Sequence, residues 1–201
     1  MKFSTKELIP FSVIAILCAI ALSLGHGLTR ERISENIEMQ KLKIITAVMT
    51  PDFDNDIYHD VKVINYTDDF GNELTTNAYR ARESDKPVGV VFIPIPATGY
   101  NGPIQLSIGI LEDGSIFRVQ VLSHHETEGL GGKIHQDKTD WLNNFAQQSL
   151  DASAMDRWAV KNESGKFDQL SGATITSRGV INAVKNSLKL YVTEQDTLFL
   201  D

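Results

Sequence analysis

The order of patterns along the chain predicts an α+β fold, with an N-terminal transmembrane helix, then an antiparallel sheet and flanking helices. Leu8–Leu24 is an uncharged apolar run just long enough to span a bilayer. Ile104, Leu106, Ile108 and Ile110 alternate with Gln105, Ser107 and Gly109, then Asp113-Gly114 turns the chain into Ile116–Leu122, a β-hairpin pattern. From Arg178 onward, Val180, Ile181, Val184, Leu188 and Tyr191 recur at the spacing of one helical face. Strands followed by helices, without regular βαβ alternation, separate this pattern from a parallel α/β fold.

The first element is the apolar run, interrupted only by Pro10 and Ser12 and followed by His26 and Arg30-Glu31-Arg32. It reads as a retained anchor or as a cleaved signal peptide, the latter because Lys2 and Lys6 form a basic start and Ala19-Ile20-Ala21 resembles a cleavage site. Continuation of the apolar residues to Leu24 favours the anchor. Lys2 and Lys6 on one side balance Arg30 and Arg32 on the other, so charge does not orient the span. Cys18 is the only cysteine, so the chain forms no internal disulfide and no cysteine-ligated metal centre. Leu17 argues against lipidation of Cys18, since a small residue is expected there.

Residues 1–28 are thus assigned to the anchor, 29–50 to a connecting helix and 51–201 to a folded domain. In the connecting helix, Ile33, Ile37, Leu42, Ile44, Ile45 and Val48 lie among charges, and Pro51 ends it. Asp52–Asp60 reads as an acidic loop lacking the Gly and terminal Glu of a calcium-binding EF-hand. Val61–Tyr66 alternates as a strand; Val88–Ile95 is a buried one, stopped by Pro94 and Pro96. Thr139–Ala146 reads as a helix with Trp141, Leu142 and Phe145 on one face. The last helix is expected from Ser177 to about Val192, with Thr176 or Ser177 as its N-cap. With 19 Lys+Arg against 26 Asp+Glu, a net charge of −7 and no basic stripe, a nucleic-acid partner is not expected.

Two loops carry candidate chemistry. Asp168-Gln169-Leu170-Ser171-Gly172-Ala173-Thr174 sets hydroxyls immediately before the last helix, where unpaired N–H groups and the positive end of the helix dipole favour an anion. A capped helix start with no ligand is the alternative reading. His124–Ile134 is rich in glycine, which lets backbone approach a ligand closely. It lacks the third glycine of a dinucleotide fingerprint and the Gly-Lys-Ser/Thr of a P-loop. His124 and His125 are adjacent, so on a strand they point apart and are poorly placed for zinc. Ser171 lacks a Gly-x-Ser-x-Gly elbow.

In Gly99-Tyr100-Asn101-Gly102, in His125-Glu126-Thr127 with Gly129-Leu130-Gly131, and in Asp168–Thr174, the chain resembles the G subunit of the Rnf electron transport complex. More distantly it resembles the C subunit of the sodium-translocating NADH:quinone reductase, which shares the FMN-binding domain. The resemblance covers nearly the whole chain and implies a single-pass protein of the bacterial inner membrane, with an extracytoplasmic, periplasmic FMN-binding domain. The family's motif is Asp-x-x-Ser/Thr-Gly-Ala-Thr, whose last threonine carries covalent FMN through a phosphoester; that position is Thr174. Ser171, Gly172, Ala173 and Thr176 would surround the phosphate. Glu126, Thr127, Gly129 and Leu130 would line the ring, with Tyr100 stacking on it and Lys133 as a nearby cation. Glu128 departs from the family's usual proline. A phosphate tether leaves the ring unmodified and removes loss by dissociation.

The resemblance further implies partners: subunits carrying the NADH site, iron–sulfur clusters, a second flavin and the membrane channels, a flavin transferase for maturation, and the lipid bilayer. The chain would be an electron relay rather than a complete enzyme, with no catalytic or metal-ligating residues of its own. Two other readings stand beside it, a C-type quinone-reductase subunit and an anchored exported binding module without cofactor. The short chain favours the Rnf-type reading over the quinone-reductase one.

Overall fold

The computed structural model describes residues 5–69, 71–135 and 137–200, with no side-chain description for 5–9 and 152–154. The chain forms two compact units, Met1–Lys41 and Leu42–Asp201. Helix α1 (Thr5–Ala47) contains Pro10 near its start. Its apolar part reaches a mean hydropathy of 2.1 and leaves Phe11, Ile14, Leu22 and Leu24 exposed, a helix long and apolar enough to cross a membrane.

The second unit is built on an antiparallel five-stranded sheet in the order β1 (Val61–Thr67), β2 (Glu73–Glu83), β3 (Lys86–Thr98), β4 (Pro103–Leu111), β5 (Ile116–Ser123). Strand β3 is apolar between its exposed ends, Lys86 and Thr98, because both faces of its middle are covered. Val90 and Phe92 face a large core shared with the C-terminal helix, whereas Val91 joins Ile45, Val48, Met49 and Ile57 on the other side. The hairpin expected around Asp113-Gly114 is β4–β5, with Ile108 opposite Val119. Strand β2 lies outside what the apolar pattern predicts. Its arginines and threonines mask a period-2 pattern in which Ala78 serves one core and Tyr79 and Ala81 the other.

Pro94 and Pro96 do not stop β3, contrary to the expectation from sequence. The register shifts between Phe92 and Ile95, so Pro94 falls in an irregularity, with a cis bond to Ile93. Pro96 lies beyond the last β2–β3 pair, Asn77–Ile93, where the strand has one hydrogen-bonded neighbour and a missing N–H is tolerated. Thr139–Ala146 contains only a short 3₁₀ helix, Trp141–Phe145, but Trp141, Leu142 and Phe145 are buried as the spacing implies. They join Trp158 and Phe167; the Phe145 and Phe167 rings lie 4.9 Å apart, and the Trp158 and Phe167 rings 5.0 Å.

Helix α2 (Thr174–Leu198) closes the large core with Val180, Ile181, Val184, Leu188 and Tyr191. It starts three residues earlier and ends later than the pattern indicates, since Leu198 is also fully buried. The N-cap position is Ala173, which offers no side-chain cap. Thr176 and Ser177 lie inside the helix instead. Ser177 Oγ donates to the Ala173 carbonyl at 3.0 Å and accepts from the Leu170 N–H at 2.9 Å.

Candidate functional site

Three segments meet at the start of α2: the Gly99–Gly102 turn between β3 and β4, the loop after β5, and the Gly172–Thr176 stretch. Between them lies an open cleft of about 500 Å³, lined by Tyr100, Glu126, Thr127, Leu130, Gly131, Gly172, Ala173, Thr174, Ile175 and Thr176. The strands bring the first two segments together because β4 and β5 are paired neighbours, with Gln105 opposite Ser123. The turn closes through a Gly99 N–H bond to the Gly102 carbonyl at 3.0 Å.

Glu126 is the polar hub. The residue is 7% exposed; its carboxylate accepts the Asn101 N–H at 2.8 Å through Oε1 and the Thr176 hydroxyl through Oε2. Asn101 also donates its side-chain amide to Thr127 Oγ1 at 2.9 Å. A Cβ at Gly131 would stand 2.3 Å from Glu126 Oε2, so only glycine lets the loop close over this carboxylate. Opposite, Gly172 holds φ at 75°, turning the chain so that Ala173 and Thr174 enter α2 against the cleft.

The two threonines of the motif have different surroundings. Thr176 is 1% exposed and its hydroxyl is committed to Glu126. Thr174 is the half-buried first residue of α2, lines the cleft, and has no hydroxyl hydrogen bond among the described residues. Because Ala173 gives no side-chain cap, the first N–H groups of α2 keep their hydrogen-bonding capacity for a ligand. A phosphate at this end would meet both those donors and the helix dipole. The cleft volume, the uncapped start of α2 and the free Thr174 hydroxyl fit a flavin mononucleotide held by its phosphate end.

Of the residues that the sequence points to, Tyr100, Glu126, Thr127, Leu130, Gly172, Ala173, Thr174 and Thr176 converge on the cleft. Ser171, Gly129 and Lys133 are off its lining: Ser171 is exposed in the turn, Gly129 takes φ 79°, and Lys133 belongs to the 3₁₀ helix Gly131–Ile134. Gly131, Ile175 and Asn101 join the site without being individual candidates in the sequence. For Gly131 and Asn101 the signal is membership of the two glycine motifs; Ile175 carries none. Glu128 pairs with Lys138, whose ammonium holds the carboxyl below its ordinary range. Asp168 pairs with Lys161 at 2.7 Å, and its carbonyl accepts the Trp141 indole N–H at 2.6 Å. Among the described residues, no three His, Cys, Asp or Glu side chains converge as a metal site. A smaller cavity of about 330 Å³ shares Ile175 with the cleft and is lined by Tyr66, Arg178 and Asn182 among others. Burial, and secondarily the Asp68 charge, pushes the Tyr66 hydroxyl up to about 12.

This arrangement defines a domain class: residues 99–189, which include every lining residue of the cleft, match the FMN-binding domain family. The fold agrees, since the crystal structure of Shewanella oneidensis NqrC superposes with a TM-score of 0.53 at 20% identity, covering 77% of this chain and 73% of that one. Within that class, the chain belongs to the family of G subunits of the ion-translocating oxidoreductase complex. The G subunits from Vibrio atlanticus and Photorhabdus laumondii are 34% and 35% identical to it, each over 89% of this chain and 85% and 86% of their own. The one from Vibrio cholerae is 34% identical over 93% of this chain and 90% of its own.

Proposed function

We propose that this chain is a membrane-anchored electron relay carrying one FMN, joined by a phosphoester to Thr174. The observation that carries the reading is the contrast between the two threonines. Thr174 presents an unengaged hydroxyl to the cleft at an uncapped helix terminus, and Thr176 is buried on Glu126. The α2 N–H groups would hold the phosphate, and the wall formed by Glu126, Thr127, Leu130 and Gly131 would bound the ring. Bound FMN supplies reversible electron uptake and release.

The relay would work within a complex that couples electron flow between NADH and ferredoxin to ion movement, since no nucleotide fingerprint or cysteine cluster occurs here. NADH, iron–sulfur, second-flavin and membrane-channel functions would belong to partner subunits. Attachment would need a flavin transferase, and the cleft would face the periplasm beyond a single inner-membrane span. Expression beside a flavin transferase, followed by denaturation, tests the linkage. The parent should gain the mass of one FMN and fluoresce, and Thr174→Ala should do neither while keeping its fold. Flavin retained in Thr174→Ala would move the linkage elsewhere, Thr176 being the nearest candidate.

A further inference from the structure

We infer that Glu126 is a fixed negative charge that lowers the redox potential of the flavin in the cleft; this rests on the FMN reading above. The carboxylate is built into the wall. Asn101 N–H and the Thr176 hydroxyl engage its two oxygens, the Gly99 and Gly131 backbones close around it, and a Cβ at either would crowd it at 2.6 and 2.3 Å. Both partners are uncharged donors, so among the described residues no cation pairs with it. On the following segment, Lys138 is taken by Glu128.

A carboxylate held this way cannot swing aside when negative charge enters the cleft. Its field acts through a mostly protein medium, where Coulomb interactions are several-fold stronger than in water and weakly screened by salt. The N-terminus of α2 offsets part of that charge through the Thr176 hydroxyl and the helix dipole. The balance is a wall that resists electron uptake, which suits a relay that must pass electrons on. A purely structural role makes a different forecast. Glu126 also ties the 99–102 turn to α2, so its loss would loosen the cleft whatever its charge.

The test is a spectroelectrochemical titration of the flavin-loaded full chain in detergent, reduced with dithionite and reoxidised with ferricyanide. Glu126→Gln keeps the shape: its amide oxygen can accept from Asn101, and its NH₂ can donate to Thr176, which becomes the acceptor. Its midpoint potential, read on the flavin-loaded fraction, should move positive of the parent's. Thr176→Val keeps the charge and removes a donor that offsets it, so its potential should move negative. Opposite signs are the signature of charge. Equal potentials in the parent and Glu126→Gln, or a positive shift in Thr176→Val, overturn the inference while leaving the FMN reading intact. If Glu126→Gln fails to load flavin, the sign of the Thr176→Val shift decides alone. A parent with no bound flavin overturns the functional reading and this inference together.

Discussion

Gly179 of α2 lies so close to β3 that a Cβ on it would stand 1.8 Å from the carbonyl oxygen of Thr98. The helix therefore rests on strand backbone five residues after Thr174, and this contact sets where the uncapped terminus meets the cleft. Gly179→Ala would gain up to about 1 kcal/mol in helix propensity. Overpacking against a backbone carbonyl that cannot rotate away costs about 1–3 kcal/mol. The net expectation is a lower denaturant midpoint with unchanged m, and less flavin incorporated at Thr174. A midpoint at or above the parent's would show that α2 can step back without loss.

Trp141 holds the start of the motif loop. Its indole N–H donates to the Asp168 carbonyl at 2.6 Å, and its ring meets Phe145 edge-on at 5.3 Å. Trp141→Phe keeps most of the packing and leaves that carbonyl unpaired, a loss on the order of 1 kcal/mol. Hydrogen exchange should accelerate over residues 168–174 more than in the sheet. Uniform acceleration would mean that the indole supports the domain as a whole rather than this loop.

Asp69 predicts an acid response. Lys189 Nζ contacts both its carboxylate oxygens, at 2.6 and 2.8 Å, with Lys185 at 3.5 Å, and the Lys189 hydrogen bond holds the carboxyl below its ordinary range. A group depressed in the folded state stabilises above its unfolded value, near 4, and loses that contribution as pH falls through the lower folded value. The parent should therefore lose more stability than Asp69→Asn between pH 5 and pH 2, a window of about three units around the carboxylate range. The pair is partly exposed, so the difference should be small and should shrink in high salt. Melting curves at both salt levels check this.

Strong patterning was readable from the chain: the long apolar helix α1 follows from a continuous apolar run, and the β4–β5 hairpin and the buried face of α2 follow from apolar spacing. β2 was hidden because Arg80 and Arg82, which bond Asp60 and the carbonyls of the C-terminal tail, break the apolar alternation of a strand with two covered faces. The prolines misled because their positions matter more than their presence: one falls where the β3–β4 register shifts, the other past the last β2 partner. In the site, the motif pointed to Thr174, but local capping rules assigned Thr176 or Ser177 to the helix start. The competing partner of Thr176 lies 50 residues away in Glu126, a long-range bond that no local pattern carries.

The last turn of α1 and the residues after it distinguish two truncations. Ile45, Val48 and Met49 are almost completely buried under the sheet, and a Cβ at Gly109 would be 1.7 Å from the Val48 carbonyl. Arg118 also donates to the Ala47 carbonyl at 3.0 Å. Removing residues 1–41 leaves all of this in place, so the fragment from Leu42 should fold without detergent and melt cooperatively. Removing 1–49 strips three buried side chains, at about 1.5–3 kcal/mol each. That loss rivals the roughly 5–15 kcal/mol that stabilises a whole domain. The shorter fragment should show weak cooperativity or none in thermal circular dichroism. Equal melting of the two fragments would mean that the sheet face tolerates exposure, and that these residues cover the domain without holding it together.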